Sequence, residues 1–260
     1  MGRDGGEMEV YSGQSILSRI VYGPIQVYRR TEAPVEVHTC RTAEEEWGRF
    51  CAAKEHIIEH LQRLYALALR DVGEAIASIF SAHTSLLEDD ELAQRIRAIL
   101  WGRQVTAEYA VKEAANDLAW EFSRMDSAYI RARSADIRDV SGQVIRRLVH
   151  WTPQPILKAG PAILATDELL PSELMSIPSE KLLGVVCRGG SIYSHTAMLM
   201  RHLRIPGLAL VDAEEPWREG MALLDGAEGR LYMDPDPALL ERYHYAPYIR
   251  WETEEPLSHR

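Results

Sequence analysis

Residues 183–207 read LGVVCRGGSIYSHTAMLMRHLRIPG. The apolar run at 183–187 is typical of a buried strand, and the glycine pair at 189–190 predicts a turn after it. A helical pattern starts near His195 and ends before the Ile-Pro-Gly stop signal at 205–207. His195 is therefore expected in the first turn of a helix, where free backbone N–H groups and the helix dipole favour a dianionic phosphate. A histidine in this position can carry a phosphoryl group, although an ordinary surface histidine beside a helix cap fits the same spacing.

Three neighbours of His195 are candidates for phosphate contacts. The hydroxyl groups of Ser194 and Thr196 can donate hydrogen bonds to a phosphate, or they can cap the helix. Gly190, with Gly189 before it, lets the backbone approach a ligand closely, but a plain strand-to-helix turn needs the same residues.

The composition of the 260 residues indicates a globular protein of one large or two modest domains, with 46% hydrophobic and 26% charged residues. The net charge of −10 argues against a nucleic-acid partner, because proteins that bind nucleic acid carry clustered basic residues. No apolar run approaches the length of a membrane-spanning helix, and the N-terminus lacks the apolar core of a signal peptide. The 3 cysteines are too scattered for a disulfide framework or a cysteine metal site. We therefore expect a cytoplasmic protein with no metal site.

The first segment of an α/β domain is predicted at residues 1–40. Strand patterns occur at Ile16–Val21 and Ile25–Tyr28, and Gly23-Pro24 between them predicts a turn.

Residues 41–149 contain almost no strand signal and predict an up-and-down bundle of amphipathic helices. A capping box at 42–45 opens the first helix, Gly73 marks a break, and Thr106 can cap a later helix. Because extended structure precedes this region, we interpret the bundle as an insertion into the α/β domain.

Residues 150–240 complete the α/β domain, because strand and helix patterns alternate again after a proline-rich linker. Residues 241–260 have weak periodicity and look like a tail or a truncated linker. The predicted strands lie at 162–165, 183–187, 208–211, 221–224 and 230–233, and the predicted helices at 171–177 and 195–204.

Several ordered motifs resemble one family. The glycine pair, Ser194–Ala197, Arg201 and Ile205-Pro206 are similar to the phosphohistidine swivelling domain of enzymes that use phosphoenolpyruvate. Among these, the chain resembles the N-terminal half of enzyme I, the phosphoenolpyruvate–protein phosphotransferase of the sugar phosphotransferase system. The resemblance implies an α/β phosphohistidine swivelling domain with an inserted α-helical bundle. Further matching motifs lie at 79–92, 133–140 and 170–173, and the resemblance covers roughly residues 10–236.

The resemblance also implies a reaction. His195 matches the histidine that takes a phosphoryl group from phosphoenolpyruvate and passes it to a histidine of the carrier protein HPr. Arg201 matches an arginine that neutralises the phosphate, although by its sequence alone it is an ordinary exposed helix residue. Residues 79–92 match the helical corner that docks HPr, where the sequence alone would indicate a packed histidine and a solvated acidic turn. The expected docking residues are His83, Leu86, Leu87, Glu88, Asp89, Asp90 and Glu91.

The chain departs from the family pattern at three places. Ser191-Ile192-Tyr193 fills the gap between the glycine pair and His195, where the family commonly has Arg-Thr and one residue fewer. Leu174 stands where the family often has a threonine that hydrogen-bonds the resting imidazole, and Ser18-Arg19-Ile20 replaces the usual Ser-Pro-Gly. These changes affect the resting rotamer of His195, and they support the alternative of a non-catalytic or regulatory binding module that keeps the fold.

The largest departure is length, because enzyme I carries a C-terminal barrel for phosphoenolpyruvate and magnesium that these 260 residues do not encode. We therefore expect phosphate exchange with phosphorylated HPr, no loading from phosphoenolpyruvate alone, no cofactor in this chain, and a monomer that is either a fragment or a natural short form. Two alternatives remain open. One is a swivelling domain of pyruvate phosphate dikinase or phosphoenolpyruvate synthase, which lack the docking corner. The other is a specialised enzyme I that serves nitrogen regulation or a dihydroxyacetone kinase.

Overall fold

Strands and helices alternate around a long helical insertion in the part of the chain that the computed structural model describes, residues 8–71, 73–158, 160–213 and 217–244. The strands are β1 (Glu9–Ser12), β2 (Gln14–Leu17), β3 (Ile20–Val27), β4 (Ala162–Thr166), β5 (Leu182–Cys187), β6 (Gly207–Ala209), β7 (Gly220–Asp225) and β8 (Arg230–Met233). The helices are α1 (Ala43–Asp71), α2 (Glu74–Glu88), α3 (Asp90–Gly102), α4 (Ala107–Ser123), α5 (Ala128–Leu148), α6 (Pro171–Ser176), α7 (His195–His202) and α8 (Pro237–Arg242).

The strands form one mixed sheet in the order β1-β8-β7-β3-β4-β5-β6-β2. The four strands from β3 to β6 run parallel to one another, and antiparallel pairs flank them on both sides. In the central strand β4, Leu164 belongs to an apolar cluster that continues into the helical bundle, whereas Ile163 and Ala165 belong to a second cluster on the opposite face. Both faces of the sheet are therefore covered, as is typical of parallel strands.

Strand β3 runs without interruption through Gly23 and Pro24, so the turn predicted there is wrong. Pairing with β4 begins only at Ile25, and Pro24 therefore needs no amide hydrogen on that side. A side chain at position 23 would meet Leu183 Cδ1 at 2.5 Å, which accounts for the glycine. The chain is interrupted earlier, at Ser18-Arg19 between β2 and β3.

The predicted helical bundle is confirmed, and its helices begin at the expected signals. Thr42 Oγ1 accepts a hydrogen bond from the Glu45 amide at 3.2 Å, and the Glu45 carboxylate accepts one from the Thr42 amide at 2.8 Å. Gly73 lies between α1 and α2 with φ 110°, a conformation that favours glycine. Thr106 caps α4 by accepting a hydrogen bond from the Tyr109 amide at 3.2 Å.

The bundle encloses large apolar side chains, and one cluster connects them with the adjacent face of the sheet. Phe50, Leu61, Ile79, Ile96 and Ile137 are each 2% exposed or less, so α1, α2, α3 and α5 share this core. Among the described residues, none of the helices is both long and apolar enough to cross a lipid bilayer.

Helix α5 joins the bundle to the α/β domain through charged side chains. The buried carboxylate of Asp139 accepts a hydrogen bond from the Ser172 amide at 2.8 Å, which satisfies a free amide in the first turn of α6. One residue earlier, Arg138 pairs with Glu168 at 2.9 Å. These contacts position α5 against the segment that leads into α6.

The region after β8 holds a short helix that the sequence pattern did not predict. Asp236 caps α8 by accepting a hydrogen bond from the Leu239 amide at 2.7 Å. The Tyr243 hydroxyl then donates to Asp225 Oδ2 at 2.7 Å, which ties the start of the predicted tail to the sheet. The rest of that tail, 245–260, lies outside the described residues, as does 1–7 of the first segment.

Candidate active site

His195 is the first residue of α7, as the sequence predicts, and the turn before it is held by local hydrogen bonds. Gly190 adopts φ 83°, which turns the chain after β5. Ser194 then caps α7 by accepting a hydrogen bond from the Ala197 amide at 3.1 Å. The imidazole therefore lies at the positive end of a helix, on the side of the sheet that faces the bundle.

Two histidines share one carboxylate oxygen at the junction between the bundle and the α/β domain. Asp136 Oδ1 lies 3.2 Å from His195 Nδ1 and 3.2 Å from His83 Nε2. The exposed fractions of His195, His83 and Asp136 are 7%, 2% and 2%, so water contributes little to this contact. Since Asp136 belongs to α5, His83 to α2 and His195 to α7, tertiary packing brings the three side chains together.

The shared carboxylate determines which nitrogen of His195 carries the proton. Burial by itself raises the pKa of Asp136, but hydrogen bonds from His195 and His83 outweigh it and hold that pKa well below its usual range. An ionised carboxylate only accepts hydrogen bonds, so the protonated ring nitrogens are His195 Nδ1 and His83 Nε2. The neutral His195 ring then has its lone pair on Nε2, which is the nucleophilic position.

Arg133 lies against the imidazole ring. Its Nη1 is 2.9 Å from His195 Nε2, 3.4 Å from His195 Nδ1 and 3.1 Å from Asp136 Oδ2. The guanidinium also lies over the Tyr129 ring, 4.8 Å from its centroid, and donates a hydrogen bond to the Tyr129 hydroxyl. A planar cation next to a free ring nitrogen is suited to hold a phosphate oxygen there. The Arg133 side chain is 22% exposed, so this side of the imidazole opens toward solvent.

The residues predicted to contact phosphate are placed differently from one another. Gly190 and the Ser194 hydroxyl lie in the turn before His195, and their phosphate contacts stay predictions. The Thr196 hydroxyl donates to the Leu169 carbonyl at 2.8 Å in a buried site, so it is already engaged.

Arg201 does not reach the imidazole in this conformation. Its Nη2 donates to the Ile192 carbonyl at 2.6 Å and its Nε donates to the Ile16 carbonyl at 3.1 Å. Arg201 therefore holds the turn before His195 and strand β2 together, while the arginine that lies beside the imidazole is Arg133.

The departures from the family pattern fit into the fold without leaving His195 unsupported. The Ser191 hydroxyl accepts a hydrogen bond from the Tyr193 amide at 3.1 Å, and Ile192 packs against the core. Leu174 is buried at 2% exposure and contributes only apolar contacts. The resting imidazole is held in its rotamer by the hydrogen bond to Asp136, so it needs no threonine at position 174.

The predicted docking corner divides into buried and exposed residues. His83 and Leu87 are each 2% exposed, because one faces Asp136 and the other packs in the bundle core. Their placement corrects the expectation that they offer surface to a partner. Leu86 is partly buried, while the acidic residues lie exposed at the junction of α2 and α3: Glu88, Asp89, Asp90 and Glu91.

Two of these acidic residues have structural partners. Asp89 caps α3 by accepting a hydrogen bond from the Glu91 amide at 2.7 Å. Glu91 pairs with Arg95 at 2.6 Å. Within the described part of the chain, Glu88 and Asp90 pair with no cation, so their charges are available to a basic partner.

Arg133 and Asp136 belong to a motif of the family resemblance, at 133–140, for which no role in the site was predicted. Their spacing of three residues puts both on one face of α5, which was the available signal. Asp136 is 59 residues from His195 in sequence, and the sequence pattern does not show that the two meet.

His83, Asp136 and His195 are also residue types that bind zinc, and one ligand atom from each lies within 4.8 Å of the others. Arg133 already places a cation 3.1 Å from the same carboxylate, so a metal ion would have to displace it. The chemistry of this set favours a negative group at His195 Nε2.

Two family descriptions match the chain. The N-terminal region of PEP-utilising enzymes matches residues 12–133, and their mobile domain matches residues 158–229. The phosphoenolpyruvate-protein phosphotransferases of Bacillus sp. (strain S) and Geobacillus stearothermophilus are each 33% identical over 221 residues, which is 82% of this chain and 38% of theirs. A solution structure of Enzyme I matches with a TM-score of 0.62 and 26% identity, covering 90% of this chain and 96% of that one.

The chain thus spans less than two fifths of the length of the curated relatives that it matches. The first matched region contains His83 and the helical bundle as far as the start of α5, and the second contains His195. The chain belongs to the PEP-utilising enzymes, and it carries their N-terminal and mobile domains in the fold of the N-terminal part of Enzyme I.

Proposed function

We propose that this chain transfers a phosphoryl group through His195, which accepts it on Nε2 and exchanges it with a histidine of the carrier protein HPr. The observation that carries the proposal is the hydrogen bond between Asp136 and His195 Nδ1, because it leaves the lone pair on Nε2. The names of the relatives, phosphoenolpyruvate-protein phosphotransferases, support the same class of reaction.

The transfer forms one phosphorus–nitrogen bond and breaks another. The lone pair of His195 Nε2 attacks the phosphorus of the donor phosphohistidine, and the donor ring recovers its own electron pair as its bond to phosphorus breaks. The proton stays on His195 Nδ1, and Asp136 compensates the positive charge that the ring gains. Since the two bonds are of the same kind, the reaction runs in either direction.

Arg133 has a defined part in this step. In the resting site its Nη1 lies 2.9 Å from Nε2 and 3.4 Å from Nδ1, so it is close to the nucleophile but off the direction of the Nε2 lone pair. Its guanidinium then donates to the phosphoryl oxygens, while Tyr129 and Asp136 keep it near the site. A positioned cation stabilises charge that spreads over these oxygens during transfer.

We place the HPr contact at the acidic corner between α2 and α3. Glu88 and Asp90 are exposed and unpaired among the described residues, and they give this corner a negative charge. Complementary charge speeds encounter and sets the register of a complex.

The phosphoenolpyruvate step belongs, in this proposal, to a part of the relatives beyond the matched 38% of their length. This chain alone is then loaded by phosphorylated HPr and not by phosphoenolpyruvate. Incubation with labelled phosphoenolpyruvate and magnesium should leave the pure chain unlabelled, and strong labelling would overturn this part of the proposal.

The decisive experiment is incubation of the chain with phosphorylated HPr, followed by mass spectrometry for acid-labile phosphate. The wild-type chain should gain one phosphoryl group at His195, and His195→Ala should gain none. His83→Gln serves as the control, because it removes the second imidazole and leaves the nucleophile. Phosphate at a residue other than His195, or binding to HPr without any transfer, would reject the proposed reaction and favour a binding module.

A further inference from the structure

A cleft that is not lined by His195, Asp136 or Arg133 lies between the bundle and the α/β domain. Its volume is about 890 Å³, within the usual range for small-molecule sites. Its walls come from α1, the end of α5, the linker at 150–157, α6 and the segment that follows β3. None of the residues proposed for phosphoryl transfer lines it, so the cleft is a separate feature of the fold.

The cleft is basic in a chain whose net charge is −10. One carboxylate, Glu173, lies in its wall, and Arg30 neutralises it at 2.6 Å while the Tyr28 hydroxyl donates to it at 2.9 Å. The positively charged and titratable residues of the wall are Arg30, Arg146, Arg147, Lys181, His56, His60 and His150. The cleft therefore keeps an excess of positive charge after its one acid is paired.

Three of these cations are unpaired among the described residues. Arg146, Arg147 and Lys181 form no salt bridge there, whereas arginines elsewhere at this junction are paired, as in the contact of Arg138 with Glu168 at 2.9 Å. The dipole of α5 explains a cation in its last turn, where Arg146 and Arg147 lie. The helix dipole does not explain why Lys181, which is distant in sequence, lines the same cleft.

His60, on the α1 side of the cleft, lies where a positive ring is disfavoured. Partial burial lowers the pKa of His60 below its usual value, and the positive charges of Arg63 and His56 lower it further. Like charges brought together in this way destabilise a fold unless an anion or solvent compensates them.

We propose that this cleft binds a small multivalent anion, such as a polyphosphate or a polycarboxylate. Arg146 and Arg147 of α5 supply planar groups that donate pairs of hydrogen bonds to phosphate or carboxylate oxygens, and Lys181 of the α/β domain supplies a point charge. Trp151, which is partly buried, gives the cleft an apolar surface beside the charges. Such a ligand contacts both the bundle and the α/β domain and therefore stabilises their relative position.

The test is calorimetric titration of the chain with pyrophosphate and with citrate at low salt. We expect saturable binding of one or both probes, weakened about tenfold or more in the double variant Arg147→Gln/Lys181→Gln. Both side chains are exposed, so the variant should keep the thermal midpoint of the wild type without ligand. The matched control is Arg242→Gln, which removes one exposed cation on α8, outside the cleft, and should bind as the wild type does.

The anion-binding arginine of the His195 site requires its own control, because an anion can also bind near Arg133. Arg133→Gln should bind the probes as the wild type does. Equal loss in Arg242→Gln, loss in Arg133→Gln, or no saturable binding of either probe would each overturn the proposal. These results do not depend on phosphoryl transfer, so they leave the proposed function to its own test.

Discussion

His195 of the α/β domain and Asp136 of the helical bundle are joined by a hydrogen bond of 3.2 Å between Nδ1 and Oδ1. The residue proposed to receive the phosphoryl group is therefore oriented by a side chain from the other half of the molecule. A change in the relative position of the two halves would break this bond and free the ring to adopt the other tautomer. The junction thus holds His195 in place and favours a lone pair on its Nε2.

Replacement of Asp136 by asparagine tests this control. Asp136→Asn keeps the size of the side chain but removes the charge that compensates the phosphorylated ring, so we expect transfer from phosphorylated HPr to slow by about 10²–10⁴-fold. Rapid-quench measurement of phosphate on His195 gives the rate. Nitrogen chemical shifts of the imidazole should show a loss of the Nδ1–H tautomer. Wild-type transfer in a folded variant would refute the role of the carboxylate.

The two arginines near the turn give a second prediction. Arg133→Gln removes the cation beside Nε2 and should lower the transfer rate by about 10²–10³-fold. Arg201→Gln removes contacts to the Ile192 and Ile16 carbonyls and should mainly lower the thermal midpoint. Single-turnover transfer and thermal unfolding of both variants separate the roles. A larger loss of transfer in Arg201→Gln at unchanged stability would restore Arg201 as the phosphate ligand.

His195, Asp136 and Arg133 show how far the sequence predicts this site. The position of His195 follows from local signals, a glycine turn and a helix start, and such signals act over a few residues. Asp136 and Arg133 reach the site only because α2 packs on both α5 and α7, which local periodicity does not encode. The turn predicted at Gly23-Pro24 failed for the same reason, because the neighbouring strands determine which amide hydrogens are needed.

The adjacent leucines of α2 should differ in their effect on stability. Leu87 is 2% exposed in the bundle core, so Leu87→Ala should reduce the free energy of unfolding by about 2–5 kcal/mol. Leu86 is only partly buried, and Leu86→Ala should cost about 1 kcal/mol. Urea denaturation measures both. Equal losses would show that Leu87 is not the core residue that the structure indicates.

The acidic corner should affect association with HPr through its unpaired charges. Glu88→Gln combined with Asp90→Asn should slow association roughly tenfold at low salt and leave unfolding unchanged, because neither side chain pairs with a cation among the described residues. Asp89→Ala serves as the contrast, since loss of its cap on α3 should reduce stability by about 1 kcal/mol. Stopped-flow association and urea denaturation distinguish the two effects. An association rate that the double substitution leaves unchanged would show that HPr docks on another surface.

The lowered pKa of Asp136 predicts how stability depends on acid. Burial opposes ionisation, yet hydrogen bonds from His195 and His83 hold the folded pKa below the ordinary value of 3.8. At pH values between the lowered pKa of the folded state and 3.8, the unfolded chain binds more protons than the folded one. This carboxylate therefore stabilises the fold above about pH 4, and the stabilisation disappears as the pH falls further. The free energy of unfolding of the wild type should therefore decline more steeply below about pH 4 than that of Asp136→Asn. Urea denaturation at a series of pH values measures the two slopes, and parallel slopes would show that Asp136 does not carry the charge that orients His195.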